Sequence, residues 1–220
     1  IAQPKLDVKM IGAYSGLLTG LTGKTHQSLE DIAIFRTLAN MVVLAPADSV
    51  ETEKIIEFAY QYDGPVYIRL ARDPYPVIFS EKYQFELGKS VTLKDGKDAT
   101  IICTGTQTSR SLEAADILEN SGISVSVVHM PSIKPLDKEA VIRAAETTGA
   151  IVTAEEHSIY GGLGSAVAEV LVEELPIPMI RIGVKDRNSE SGPNDQLLVK
   201  YEISPNHIVQ AVKKVLERKS

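Results

Sequence analysis

The chain has 220 residues, 44% hydrophobic and 24% charged, and its 23 Lys+Arg against 29 Asp+Glu give a net charge of −6. That length buries one large core or two medium ones, and the mix excludes a collagenous, disordered or disulfide-stapled chain. The acidic balance disfavours nucleic-acid or anionic-membrane binding, the single Cys103 excludes a cysteine metal cage, and no apolar run approaches the ~20 residues of a membrane-spanning helix.

Short β-branched runs alternate with amphipathic helices, which predicts an α/β protein with largely parallel sheets. The spacing suggests a unit over 1–75, a linker over 76–89 and a second unit over 90–220. In the first unit, strands are expected at Val8–Tyr14, Met41–Ala45 and Val66–Ala71. Ser28, with Asp31 three residues on, reads as the cap of one helix; Asp48 with Glu51 reads as the cap of the next. A Pro-containing stretch, Arg72-Asp73-Pro74-Tyr75-Pro76, leads into the linker.

The second unit is expected to open with a hairpin turning at Lys94-Asp95-Gly96-Lys97, between Ser90–Leu93 and Ala99–Thr104. Helices follow near 108–120, 138–147 and 164–175. Strands are expected at Ser124–Val128, Ala150–Ala154 and Pro178–Ile182. Asp137 caps the second of these helices. Ser204 and Pro205 open a last one, whose Ile208, Ala211, Val212, Val215 and Leu216 form an apolar stripe.

Several segments carry possible chemistry. Gly20-Leu21-Thr22-Gly23-Lys24-Thr25 fails as a phosphate loop because Leu18 stands where its first glycine belongs. Gly161-Gly162-Leu163-Gly164 is only part of a dinucleotide fingerprint, and Thr104-Gly105-Thr106 alone is no more than a tight turn. His129 and His207 read as structural, and no two histidines are spaced as metal ligands on one helix face. His26 sits in a polar, glycine-rich loop before a helix, where an imidazole serves proton transfer. Arg69 and Arg72 lie at and past a strand end, suited either to clamping an anion or to an ion pair. Glu155-Glu156-His157 reads as interface or capping, and Cys103 as a buried small hydrophobe.

Gly23-Lys24-Thr25-His26-Gln27-Ser28-Leu29-Glu30 resembles the G-x-T-H-Q-x-x-E segment of transketolases. Phe35–Val43, Pro46-Ala47-Asp48 and Gly64–Arg72 follow at family spacing, and Glu155–Ser165 resembles the family's C-terminal domain. The best match is to the separate C-terminal subunit of split transketolases. The resemblance implies two three-layer α/β domains, an incomplete pyrimidine-binding domain and a transketolase C-terminal-like domain. It implies a cytoplasmic enzyme that moves a two-carbon ketol unit from a ketose phosphate to an aldose phosphate. Thiamine diphosphate and a divalent metal (Mg or Ca) would be held mainly by an N-terminal, diphosphate-binding partner subunit. A homodimer or heterotetramer is expected.

By the same resemblance, His26 lies over the reacting centre and Arg72 binds substrate phosphate. Thr22 stands where the family usually has a donor-binding aspartate, and Tyr14 where it has a phosphate-binding histidine. Both point away from an ordinary sugar-phosphate donor. No residue of this chain is assigned to the cofactor or the metal. The chain opens at Ile1, partway through the pyrimidine-binding domain, without the stretch that supplies the family's cofactor-activating glutamate, so it is expected to be inactive alone. The competing expectations are a relative resembling deoxyxylulose-phosphate synthase or the β chain of a 2-oxoacid dehydrogenase, and a non-catalytic assembly module.

Overall fold

The computed structural model describes residues 1–219. In the first half, strands β1 (Lys9–Gly12), β2 (Val42–Leu44) and β3 (Val66–Arg69) run parallel in the order β1-β3-β2. Helices α1 (Asp31–Thr37) and α2 (Ser49–Gln61) connect them. Consecutive strand residues point to opposite faces, and in β2 and β3 both faces are covered, whereas Ile11 of β1 is exposed. Val43 joins Ile32 and Tyr67 in one apolar cluster, while Val42 and Leu44 join Ile55, Ala59 and Ile68 in another. That double burial explains why these strands read as continuous apolar runs.

Asp48 caps α2 as expected, its side chain accepting from the Glu51 amide at 2.8 Å. Ser28 does not cap α1. The helix begins three residues later, after Glu30, because the Ser28 carbonyl is taken by the Gly16 amide at 2.7 Å and by Arg69 Nη2 at 3.3 Å, which holds the segment extended.

The second half contains β4 (Val91–Lys94), β5 (Ala99–Cys103), α3 (Gln107–Glu119), β6 (Val125–His129), β7 (Ser132–Lys134), α4 (Lys138–Thr148), β8 (Ile151–Ser158), α5 (Leu163–Glu174), β9 (Met179–Val184), α6 (Asn194–Lys200) and α7 (Pro205–Leu216). Its sheet has the order β4-β6-β5-β8-β9, parallel except for β4. Helices α3 and α7 cover one face, and α4 and α5 the other. The expected hairpin does not form. β4 and β5 flank β6 and do not pair with each other, since α3 carries β6 between them. Gly96 makes this route possible: its backbone crosses the Val125–Ser126 peptide too closely for any Cβ.

Asp137 caps α4 by accepting from the Ala140 amide at 3.0 Å. Ser204 precedes α7 as expected, but its hydroxyl pairs with His207 Nδ1 at 2.7 Å instead of capping an amide. Two elements had no sequence signal, α6 and β7. The latter pairs antiparallel with β2, so a strand from the second half closes the sheet of the first.

The halves also share a buried polar joint. Glu51 Oε2 meets His129 Nε2 at 2.7 Å, with both side chains fully buried. Glu51 also accepts from the Ala47 amide at 2.6 Å and the Tyr83 hydroxyl at 2.6 Å, while His129 Nδ1 pairs with Thr108 at 2.8 Å. Asp48 Oδ2 accepts the amides of Ile78 and Phe79, which pins the connecting segment. Burial would lower the His129 pKa, but the Glu51 carboxylate outweighs it and raises the value to about 9.

Candidate active-site crevice

In parallel α/β sheets, ligands bind beyond the carboxyl ends of the strands. Here β1 and β3 end side by side at Gly12 and Arg69. The chain after β1 turns at Tyr14, which has φ 64°, a left-handed conformation that a bulky residue adopts at a cost of about 1–3 kcal/mol. The turn holds the half-exposed Tyr14 ring against the Arg72 guanidinium, 5.6 Å from centroid to Cζ. Arg72 Nη1 donates to Thr22 Oγ1 at 3.0 Å and to Thr19 Oγ1 at 3.4 Å. Among the described residues, its Nε and Nη2 make no hydrogen bond. Three residues singled out from the sequence, Tyr14, Thr22 and Arg72, thus converge on one cluster with free cationic donors.

His26 lies on the same loop, past a turn in which Gly23 has φ 81° and its carbonyl accepts the His26 amide at 2.9 Å. The ring is exposed, and its Nδ1 pairs with the Thr25 hydroxyl at 2.9 Å, which leaves Nε2 free to meet a ligand. No contact joins His26 directly to Tyr14, Thr22 or Arg72 among the described residues.

Beneath the crevice, the charged side chains serve the fold. Arg69, the other candidate anion clamp, is buried and paired with Asp31 at 2.9 Å; it also donates to the Glu156 carbonyl at 2.9 Å. Asp31 further accepts from the Tyr67 hydroxyl at 2.7 Å. Burial would raise the Asp31 pKa, but Arg69 and Tyr67 hold it below the usual carboxylate range. Glu155 accepts the amides of Leu163 and Gly164, each at 2.8 Å, at the start of α5. Glu156 accepts the amides of Leu17 and Leu18 at 2.7 and 3.1 Å, and the Thr106 hydroxyl at 2.6 Å. His157 is kept neutral: burial, then Arg69, push its pKa down to about 4. Cys103 is buried in β5, as its surroundings in the sequence suggested.

Glu156 is a contributor that sequence reasoning assigned only to interface or capping. It secures the start of the crevice loop so closely that a Cβ on Gly16 would collide with its carboxylate. Asp31, Asp48, Glu51, Glu155 and Glu156 each accept hydrogen bonds that hold the fold, and Asp31 keeps one buried oxygen, Oδ1, without a partner among the described residues. No group of three His, Cys, Asp or Glu among the described residues could hold a metal ion. The described residues therefore do not by themselves supply a set of metal ligands.

Comparison with known proteins agrees with this architecture. Residues 1–77 match the family model of the transketolase pyrimidine binding domain, and residues 88–208 that of the transketolase C-terminal domain. The chain is 44% identical over 220 residues to a 6-deoxy-6-sulfo-D-fructose transketolase subunit of Clostridium sp. (strain MSTE9), covering 100% of this chain and 68% of that one. It is 39% identical over 209 residues to an apulose-4-phosphate transketolase subunit of Phocaeicola vulgatus, covering 94% of this chain and 67% of the relative. A solved split-gene transketolase, described as an inactive beta4 tetramer, superposes with a TM-score of 0.92 at 46% identity, over 100% of this chain and 70% of that one. A transketolase mutant from Pichia stipitis shares the fold, with a TM-score of 0.80 at 23% identity, over 98% of this chain and 31% of that one. No helix among the described residues is long and apolar enough to cross a membrane. With both domain matches and a 44% identical relative aligned over all of this chain, the chain belongs to the transketolase family.

Proposed function

We propose that this chain acts as the C-terminal subunit of a split transketolase, transferring a two-carbon ketol unit between sugars that carry an anionic tail. The observation that carries the reading is the convergence of Tyr14, Thr22 and Arg72 beside the His26 loop. When bound by an N-terminal partner subunit, thiamine diphosphate with its divalent metal supplies the nucleophilic carbon and electron sink for carbon–carbon bond exchange. This chain's residues bind and orient the substrate. Arg72 presents Nε and Nη2 as a planar fork to a phosphate or sulfonate. Thr22 supplies a neutral hydroxyl beside it. His26 holds or delivers a proton at the sugar's terminal hydroxyl through its free nitrogen.

Thr22 and Tyr14 stand where the family usually has a donor-binding aspartate and a phosphate-binding histidine, which favours donors other than the ordinary ketose phosphates. The names of the two relatives, a 6-deoxy-6-sulfo-D-fructose transketolase subunit and an apulose-4-phosphate transketolase subunit, support that reading.

The test is reconstitution with the N-terminal subunit, followed by a panel of ketose phosphates and sulfonates. The chain alone should show no ketol transfer, and the pair should show it with at least one donor. Rejection of every donor would count against the assignment. Within the active pair, Arg72→Ala should raise the donor KM by about 10–100-fold, the usual cost of removing a hydrogen bond to a charged group. An unchanged KM would remove Arg72 from the binding role.

A further inference from the structure

We infer that Asn194 is a positioning residue of the crevice, a side chain from the second half of the chain that fixes the segments carrying Thr22 and Arg72 relative to each other. Its Oδ1 accepts the Gly20 amide at 3.1 Å. Its Nδ2 donates to Asp73 Oδ2 at 2.6 Å and to the Leu18 carbonyl at 3.4 Å. One amide group thus ties the loop just before Thr22 to the residue just after Arg72. These are the two segments whose separation sets the 3.0 Å bond between Arg72 and Thr22.

The surroundings leave Asn194 little freedom to do otherwise. The Gly192 amide donates to the Gly20 carbonyl at 2.9 Å, so both backbone groups of Gly20 are bonded to the turn that leads into α6. A Cβ on Gly20 would run into the Gly192 carbonyl and the side chains of Asn194 and Leu197, and one on Gly23 would strike Ser191. At the far end of the loop, Gln27 Nε2 donates to the Leu17 carbonyl at 2.9 Å and the Glu190 carbonyl at 3.3 Å. Between these contacts, Asn194 and Asp73 line a cleft of about 370 Å³ together with Thr19, Gly20 and Arg72. If the Asn194 amide is lost, the Gly20 amide and the Asp73 carboxylate each lose a partner. The two segments can then drift apart, and small misplacements of binding groups are expensive for catalysis. Asn194 touches no group assigned to the chemistry, so it acts through Thr22 and Arg72.

This inference rests on the proposed role of Arg72 as the anion-binding group. The test uses the reconstituted pair for kinetics and the full chain, with inorganic phosphate as probe, for thermal stability. Asn194→Ala should raise the KM for a phosphorylated donor about tenfold, the loss of one charge-assisted bond. It should change kcat by no more than about twofold and raise about tenfold the phosphate concentration needed for a given rise in Tm. Asn194→Asp should behave in the same way. Adding Asp73→Asn to Asn194→Asp should lower KM again, because the swapped pair re-forms an amide-to-carboxylate bond even though the donation to the Leu18 carbonyl stays lost; a purely structural role would move Tm with KM unchanged. If Arg72→Ala loses the phosphate response while Asn194→Ala keeps it at the wild-type phosphate concentration, the inference on Asn194 is overturned and the anion-binding role of Arg72 stands. If Arg72→Ala itself keeps the response, the role of Arg72 fails and the positioning role fails with it. If the swap leaves KM as high as in Asn194→Asp, the bond is not what positions the crevice, and the inference is likewise overturned.

Discussion

Replacing Glu51 by Ala should lower folding stability by about 3–5 kcal/mol, the loss usual when one partner of a buried ion pair is removed. The carboxylate accepts from His129, Tyr83 and the Ala47 amide in a site without water contact. Its removal strands a buried imidazolium and a half-buried hydroxyl at the joint between the halves. Urea unfolding at neutral pH measures the effect directly.

The pair also has a pH signature. His129 binds its proton more tightly in the fold, at a pKa of about 9 against 6.5 for the free side chain. Its contribution is therefore complete below pH 6.5 and is lost as pH rises through 9. The shift corresponds to about 3 kcal/mol. Wild-type stability should fall across that window, whereas Glu51→Gln, which lacks the charge that raises the pKa, should start lower and change little. Parallel unfolding midpoints for the two proteins from pH 6.5 to 9.5 would sink this account of the joint.

The second large effect concerns rate. In the reconstituted pair, His26→Ala should reduce kcat about 10²–10⁴-fold, the range for loss of a general acid–base group. Because the ring is exposed and, among the described residues, its only side-chain partner is the neighbouring Thr25, stability should change by no more than about 0.5 kcal/mol. A large loss of rate at constant stability separates chemistry from folding. His26→Ala with an unchanged rate would leave the chain as an assembly module and His26 as a surface residue.

The helices capped by Asp48 and Asp137 were readable in the sequence because a capping carboxylate and the following apolar spacing form a local signal. The buried strands were readable for the same reason, since two-sided burial leaves continuous β-branched runs. What could not be read was set by distant partners. The Lys94–Lys97 turn has hairpin chemistry, but strand order depends on where α3 returns the chain. Ser28 has capping chemistry, but Gly16 and Arg69 claim its carbonyl. β7 is short and has no period of its own, so nothing local marks it as a strand. At the crevice, His26 and Arg72 were marked by their positions and Tyr14 and Thr22 by the resemblance alone, and the contacts among Tyr14, Thr22 and Arg72 came from the structure. Glu156 and Asn194 act across long separations on the loop that bears Thr22, and no spacing rule connects them.

The antiparallel pairing of β7 with β2 also bears on the order in which the protein can form. The edge of the first sheet stays open until residues 132–134 have emerged from the ribosome. At translation rates of roughly 5–20 residues per second, the nascent first half waits on the order of several seconds for its closing strand. Until then the β2 edge is unpaired and open to aberrant strand addition. The segment after β3 therefore cannot serve as a clean place to divide the gene: a break there would release a sheet short of a strand, and the pieces would have to recover it by association.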